Sequence, residues 1–469
     1  MIEMNFKTLA ARTGGTMIEN ALGESRFEGA VSDSRQVKSG MLFIAIRGER
    51  DDGHKYIDEA VRHGCSGVLV ADDYKPADRY RKEIPLVAVN DTHRAMIDLA
   101  ADYRRSLAGQ LIAITGSNGK TTTKDITYAM LGLKSDRVYC SPGNFNNLYG
   151  LPLSLFGLPA DTEFAVFELG ISVPGEMNRL ANMARPDLML FTNVGPTHLA
   201  TLGSVEGVAE AKFEMVDAAD NDRPVIINGD DPELVRAAAR RRRRFITFGI
   251  DSRADFTGRR GGVTADGYPT VIIDDVPVRI GLFGDHQAYN ILAGYAVCKT
   301  LGLDITADDL NHIEYRPAPY RGEIEIINDL VIIADCYNAN PVSMRSGLRS
   351  FRSYLDRLPH KKRGVVVVGD MLELGPEEIK YHEEVGRLLA ELDFDLNIIV
   401  GERARTICDT AFTSGADKDK FRPCADTKAA GEPLIGGILR GDAVYLKASR
   451  GIGLEELITL MKGSAFRQN

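Results

Sequence analysis

The stretch LIAITGSNGKTTTKD, residues 111–125, constrains the fold more than any other part of the chain. An apolar run enters a loop holding Gly116 and Gly119, then leaves it as Lys120 and three threonines. The general phosphate-loop pattern, G-x-x-x-x-G-K-[ST], asks for a glycine where Ile114 stands. The geometry behind the pattern is complete without it. A cradle needs a buried strand, a turn whose backbone N–H groups point inward, and a helix N-terminus whose dipole favours an anion. A plain strand–turn–helix link would use similar glycines, but a lysine in the first helical turn opposes the dipole unless an anion arrives. The loop Gly116, Ser117, Asn118, Gly119, Lys120, Thr121 and Thr122 is therefore expected to bind phosphate. Lys120 would reach the β- and γ-phosphates, and the Thr121 hydroxyl is placed for Mg²⁺. The loop alone does not separate a GTPase, a kinase, an ATPase and a ligase.

The helix after the loop is expected to bury Ile126, Ala129, Met130 and Leu133. Around this unit the chain repeats one rhythm, short apolar runs alternating with amphipathic segments. Strands are expected at 40–48, 66–72 and 85–91, with a helix at 54–64 and another from the Asp91–Thr92 cap to Leu107. The runs 163–170, 186–195 and 223–229 are continuously apolar and bounded by breakers, which suits parallel strands covered on both faces. Residues 255–283 alternate with turn residues and read as β-hairpin, followed by a helix stopped near Gly302. The proline-rich RPAPYRGE, 316–323, breaks both patterns and marks a boundary. After it α/β alternation resumes, with strands at 364–370, 395–401 and 442–449. The chain is expected to be α/β, with three α/β domains at 1–108, 109–317 and 318–469.

At 469 residues the chain has room for several cores, and 44% hydrophobic with 26% charged content suits a soluble globular protein. A net charge of −9 does not advertise nucleic-acid binding. The one basic run, RAAARRRRR at 236–244, has no interleaved aromatics for stacking and reads as the solvated end of a helix. Six scattered cysteines form no C-x-x-C pair, which points to a reducing, cytoplasmic setting. The start carries no apolar signal region, and no segment is apolar for long enough to span a bilayer.

The shortened loop G-[ST]-x-G-K-[ST]-[ST], matched from Gly116 to Thr122, resembles the ATP loop of the Mur ligases. Further stretches follow in that family's order. SDSRQVKSGMLFIAIRGERDDGHKYI (32–57) resembles its UDP-sugar-binding domain, and GNFNNLYGLP (143–152) the loop that meets the muramoyl substrate. FELGISVPGEM (167–177), TNVGPTHL (192–199) and AEAKFEM (209–215) resemble the metal-site segments. HQAYNILA (286–293) resembles the adenine-side helix, and RGEIEIIND with DCYNANPVSM the start of the C-terminal domain. YNANPVSM further resembles the branch that adds D-alanyl-D-alanine.

The resemblance implies a central P-loop ATPase-like parallel sheet and a Rossmann-like C-terminal domain that binds the incoming dipeptide. It implies ATP and Mg²⁺ as cofactors, with UDP-N-acetylmuramoyl-tripeptide and D-alanyl-D-alanine as substrates joined through an acyl phosphate. No nucleic acid and no membrane insertion are implied, and the enzyme is expected to be a monomer. Lys120, Glu168, His198 and Lys212 would be catalytic. Thr121, Glu168, His198 and a carbamylated Lys212 would hold metal. Asn290, Arg321 and Asp335 join the loop on ATP; Ser34, Arg35, Asn144 and Asn147 would meet the UDP-substrate; Asn338 and Asn340 would lie on the dipeptide side. Glu168 closes a buried strand at the edge where α/β sheets place ligands, and a carboxylate there needs a partner. A lone loop histidine such as His198, or a helical lysine such as Lys212, is commonly just solvated. Asn338 and Asn340 also suit the cap of a helix starting at Pro341. Two rival readings stay open: a P-loop kinase or GTPase, and a non-catalytic nucleotide-binding module.

Overall fold

The structure, a computed structural model, describes residues 1–18, 22–48, 51–75, 80, 83–264, 268–279, 281–358 and 362–464. Its strands form three large sheets and one small ribbon. The first sheet orders Thr16–Met17, Leu86–Val89, Gly67–Ala71, Leu42–Ile44 and Ala30–Val31, parallel except at the Thr16–Met17 edge. The expected strand at 40–48 is thus three residues long, and the expected helix at 54–64 divides into a 3₁₀ turn, Gly53–Tyr56, and the helix Ile57–Arg62.

The central sheet has nine strands. Gln110–Thr115 lies between Phe164–Glu168 and Leu188–Phe191, with Val138–Cys140 at one edge. Val225–Asn228, Ile246–Gly249 and Phe256–Val263 continue it in parallel, and Pro269–Ile273 with Val276–Val278 close it as the expected antiparallel addition. Gln110–Thr115, Phe164–Glu168, Leu188–Phe191 and Val225–Asn228 are covered on both faces and almost wholly apolar, as buried parallel strands require, whereas Phe256–Val263 near the other edge carries Arg259 and Arg260 to solvent. The 3.6-residue pattern after the loop produces the helix Lys120–Gly132, which packs on the helix Gln287–Thr300. Ile126 and Met130 are buried as expected, but Leu133 is not: it is the C-cap residue and is exposed. Leu131, Thr123 and Thr127 are buried instead, because this helix is covered on more than one side.

The third sheet orders Glu323–Ile327, Leu330–Ala334, Ala443–Lys447, Gly364–Gly369, Leu396–Val400 and Phe421–Cys424, parallel apart from its first hairpin. Two apolar cores sandwich this sheet, one on each face. The arginine run lies where the helix Pro232–Ala239 ends. Arg236 pairs with Glu233, Arg240 with Glu206 and Glu210, Arg241 with Glu210 and Asp217, and Arg244 with Asp255, so most of the run binds the protein to itself. Among the described residues no helix is long and apolar enough to cross a membrane.

Candidate active site

The carboxyl ends of the central strands meet the carboxyl ends of the third sheet across a cavity of about 550 Å³. Its floor is the phosphate loop. Gly116 has φ +151°, and a Cβ there would lie 1.9 Å from Thr192 Oγ1. Gly119 has φ +79°, and a Cβ would lie 2.5 Å from Asn290 Oδ1. Both positions therefore exclude a side chain on grounds of backbone and space. Ser117 accepts from the Gly195 N–H, and Asn118 is held by Asn193, whose Oδ1 accepts its N–H and whose Nδ2 donates to its carbonyl. Ile114, the residue that departs from the general pattern, is fully buried and pairs in register with Glu168. The cradle starts at Gly116, not earlier.

Two lysines converge on this loop, and a third is buried in the helix that follows it. Lys120 Nζ donates to the Gly116 carbonyl at 2.8 Å, and Lys212 Nζ donates to the same carbonyl at 3.1 Å. Lys124 Nζ donates to the Ser141 carbonyl at 2.6 Å and lies 3.1 Å from Asp125. Burial pushes the Lys120 amine below its usual range, with Arg321 adding repulsion and Glu168 opposing. Lys212 is pushed much further down by burial and by Lys120, although it sits in the helix Val205–Asp217 where a solvated lysine is the common case. Two ammonium groups cannot cheaply share one carbonyl away from water.

Glu168 is 3% exposed, and its direct hydrogen-bond partners are neutral: Thr121 Oγ1 donates to Oε2 at 2.6 Å and Asn146 Nδ2 to Oε1 at 2.6 Å. Asn146 was not singled out in the sequence, where it is one of three asparagines in GNFNN; only the turn decides which of them reaches Glu168. His198 is half-buried with φ +54°, a strained conformation for a non-glycine residue. Its Nδ1 lies 2.8 Å from Glu373 Oε2, a residue of the third sheet's loops. Burial lowers the His198 pKa while Glu373 opposes. Asn290 is buried under the loop, accepting from Thr123 Oγ1 and donating to Gln287.

The opposite wall carries Arg321, Asp335, Asn338 and Asn340. The Arg321 guanidinium lies 3.9 Å from the Tyr337 ring centroid. Asp335 is no ordinary turn residue: its Oδ2 accepts from Tyr445 Oη and from buried Lys447 Nζ, each at 2.8 Å. Lys447 gave no signal in the sequence beyond closing an apolar strand. Asn338 uses its side chain on the Ala339 N–H. Asn340 caps the helix Pro341–Arg357 with a reciprocal capping box. Asn144 and Asn147 line the cavity, whereas Ser34 and Arg35 do not; Ser34 Oγ donates to Glu59 and Arg35 pairs with Asp33 in the first sheet's loops.

A larger hollow, about 690 Å³, opens at the amino ends of the central strands. It is not the better candidate. Arg104 and Arg223 there both pair with Asp187, which also accepts the Leu111 N–H, so these groups tie a helix to the sheet. Ligands of open α/β sheets bind at the carboxyl ends.

Among the described residues no group of three histidine, cysteine or acidic side chains is gathered for a metal. Mg²⁺ commonly takes one or two protein oxygens and completes its shell with phosphates and water. The adjacent Thr121 hydroxyl and Glu168 carboxylate fit that donor set.

Comparison with known proteins agrees with this architecture. Residues 27–104 match the model of the Mur ligase family catalytic domain, 114–298 the Mur ligase middle domain, and 321–450 the Mur ligase glutamate ligase domain. The chain is 32% identical to the UDP-N-acetylmuramoyl-tripeptide–D-alanyl-D-alanine ligase of Bacillus subtilis strain 168, over 98% of each chain. It is 30% identical to the Escherichia coli K12 enzyme of the same name, over 93% of this chain and 94% of that one. The crystal structure of MurF from Acinetobacter baumannii superposes with a TM-score of 0.83 at 27% identity, covering 98% of this chain and 99% of that one. MurF ligase from Thermotoga maritima, solved in complex with ADP, gives 0.77 at 28% identity, covering 93% and 97%. With its phosphate loop, buried Glu168 and paired Asp335 at one cavity, and with similarity along its whole length, the chain belongs to the Mur ligase family.

Proposed function

We propose that this protein is an ATP-dependent ligase. It joins D-alanyl-D-alanine to the stem-peptide carboxylate of UDP-N-acetylmuramoyl-tripeptide, through an acyl phosphate, in cytoplasmic peptidoglycan precursor synthesis. The observation that carries the reading is one cavity bounded by the phosphate loop on one side and the Asp335–Lys447 wall on the other. A kinase or GTPase needs only the first wall. Residues 1–108 would hold the UDP end, 109–317 ATP and 318–469 the dipeptide, in a monomer.

The stem carboxylate attacks the γ-phosphorus and ADP leaves. The dipeptide amine then attacks the acyl carbon, gives up a proton, and phosphate departs from the tetrahedral intermediate. Phosphoryl transfer asks mostly for positioning and charge neutralisation. Lys120 would exchange its carbonyl partners for phosphate oxygens, and the loop N–H groups, with Ser117, Asn118 and Thr122 beside them, would cradle the rest. Asn290 would support the loop next to the adenine. Arg321 would close onto the phosphates from the third sheet, and Asp335 would position Lys447 on the ATP side. Asn338 and Asn340 would face the dipeptide, and Ser34, Arg35, Asn144 and Asn147 the UDP-substrate. Mg²⁺, held by Thr121 and Glu168 and further out by His198, would neutralise phosphate charge. A neutral Lys212 amine is what addition of CO₂ requires; the carbamate so formed would give this buried position an oxygen ligand.

The test is ADP and phosphate release with each substrate omitted in turn. Release that requires both the UDP-muramoyl tripeptide and D-alanyl-D-alanine is the expected result; release without either one overturns the ligase reading.

A further inference from the structure

Asn340 and Asn118 are 222 residues apart, yet Asn340 Nδ2 donates to Asn118 Oδ1 at 2.6 Å. The direction of that bond is set by backbone. Asn340 Oδ1 accepts the Ser343 N–H at 2.9 Å as the N-cap of its helix, so only its NH₂ remains to face the loop. The group facing it on Asn118 must then be the carbonyl oxygen. Asn118 Nδ2 is left over: it is buried and has no partner among the described residues. The rest of Asn118 is fully held, its N–H by Asn193 Oδ1 and its carbonyl by Thr192 Oγ1 and Asn193 Nδ2. Both asparagines line the cavity. A buried donor without an acceptor is costly, and an incoming acceptor recovers that cost.

We propose that Asn340 is a positioning residue of the reaction: through its hydrogen bond to Asn118 Oδ1 it holds the Asn118 carboxamide so that Nδ2 is offered to a phosphate oxygen of the bound nucleotide. The loop's side-chain donor is thereby set only when the third sheet's domain rests against the loop. Nucleotide activation is coupled to the seating of the domain that carries the second wall. This rests on the ligase reading and adds a residue to it.

The substitution Asn340→Asp tests the idea because it keeps the cap. One carboxylate oxygen still accepts the Ser343 N–H, while the other now faces Asn118 and demands a donor, so the Asn118 amide turns and withdraws Nδ2. kcat/KM for ATP should fall about tenfold, the worth of one hydrogen bond to a charged group, while the melting temperature stays at the wild-type value. Asn340→Ser, also a capping residue but too short to reach, should lower kcat/KM for ATP without adding charge. Asn118→Ala should match Asn340→Asp, and the double variant should be no worse than either single one. Wild-type kcat/KM in Asn340→Asp, or losses that multiply in the double variant, would overturn the inference; multiplying losses would mean that the new charge simply repels the phosphates. If the wild-type protein releases no ADP with all substrates present, the ligase reading fails first, and these comparisons separate the two failures.

Discussion

Lys212 and Lys447 are equally buried, each 2% exposed, in different companies. Lys212 meets a carbonyl beside the phosphate loop; Lys447 meets the Asp335 carboxylate, with the Asn338 carbonyl at 3.2 Å. Burying an ammonium ion costs several kcal/mol unless a counter-ion and hydrogen bonds replace its water. Lys447 has both and forms a fixed wall. Lys212 has no carboxylate within hydrogen-bond reach among the described residues, and burial and Lys120 drive its amine toward neutrality. Equal burial thus goes with an ion-paired lysine on one side of the cavity and, on the other, an amine that burial and Lys120 push well below its usual range.

Substitutions on the two walls sharpen or break that contrast. The largest effect is expected at Lys120, the loop's own cation. Lys120→Ala should lower kcat by about 10³-fold, as loss of a main electrostatic contact to the reacting group does, while the UDP-substrate still binds by calorimetry. Lys212→Met should lower kcat by about 10²-fold, the scale seen when a metal site is disturbed, with no loss of stability, since a thioether is cheaper to bury than an amine. Lys447→Met should instead destabilise the protein by about 2 kcal/mol in denaturant titration, because Asp335 is left without its cation. If Lys212→Met is the more destabilising of the two, the contrast is wrong. The smallest effect belongs to Glu373→Gln. That carboxylate is 68% exposed, so its pair with His198 should be worth less than about 1 kcal/mol and change kcat only a few-fold.

Much of this was legible in the sequence. LIAIT and FAVFE read as strands because every residue is apolar until the last, and the residue that ends each run is the one at the ligand edge. The glycines at 116 and 119 mark the cradle, since nothing larger fits. What stayed hidden depends on distance along the chain. No local pattern announces that Lys447 will meet Asp335, that Glu373 will reach His198, or that of three asparagines lining the cavity it is Asn146 that bonds Glu168. The burial of Lys212 was equally invisible, because helical periodicity puts a lysine on a face without saying whether another helix or a loop will cover it. Leu133 shows the converse error: a residue on the apolar stripe lies exposed because the helix stops one residue short of it.

The two walls also differ in when they come into being. The cradle ends near residue 122, whereas Lys447 comes more than three hundred residues later. At about 5–20 residues per second, a ribosome spends roughly twenty seconds to a minute between the two. The residues that hold the loop in place, Thr192, Asn193, Lys212 and Asn290, are made within that interval, and the second wall is made last. The Gly116 carbonyl, made before any of them, is the partner that Lys120 and Lys212 share once the central sheet is complete.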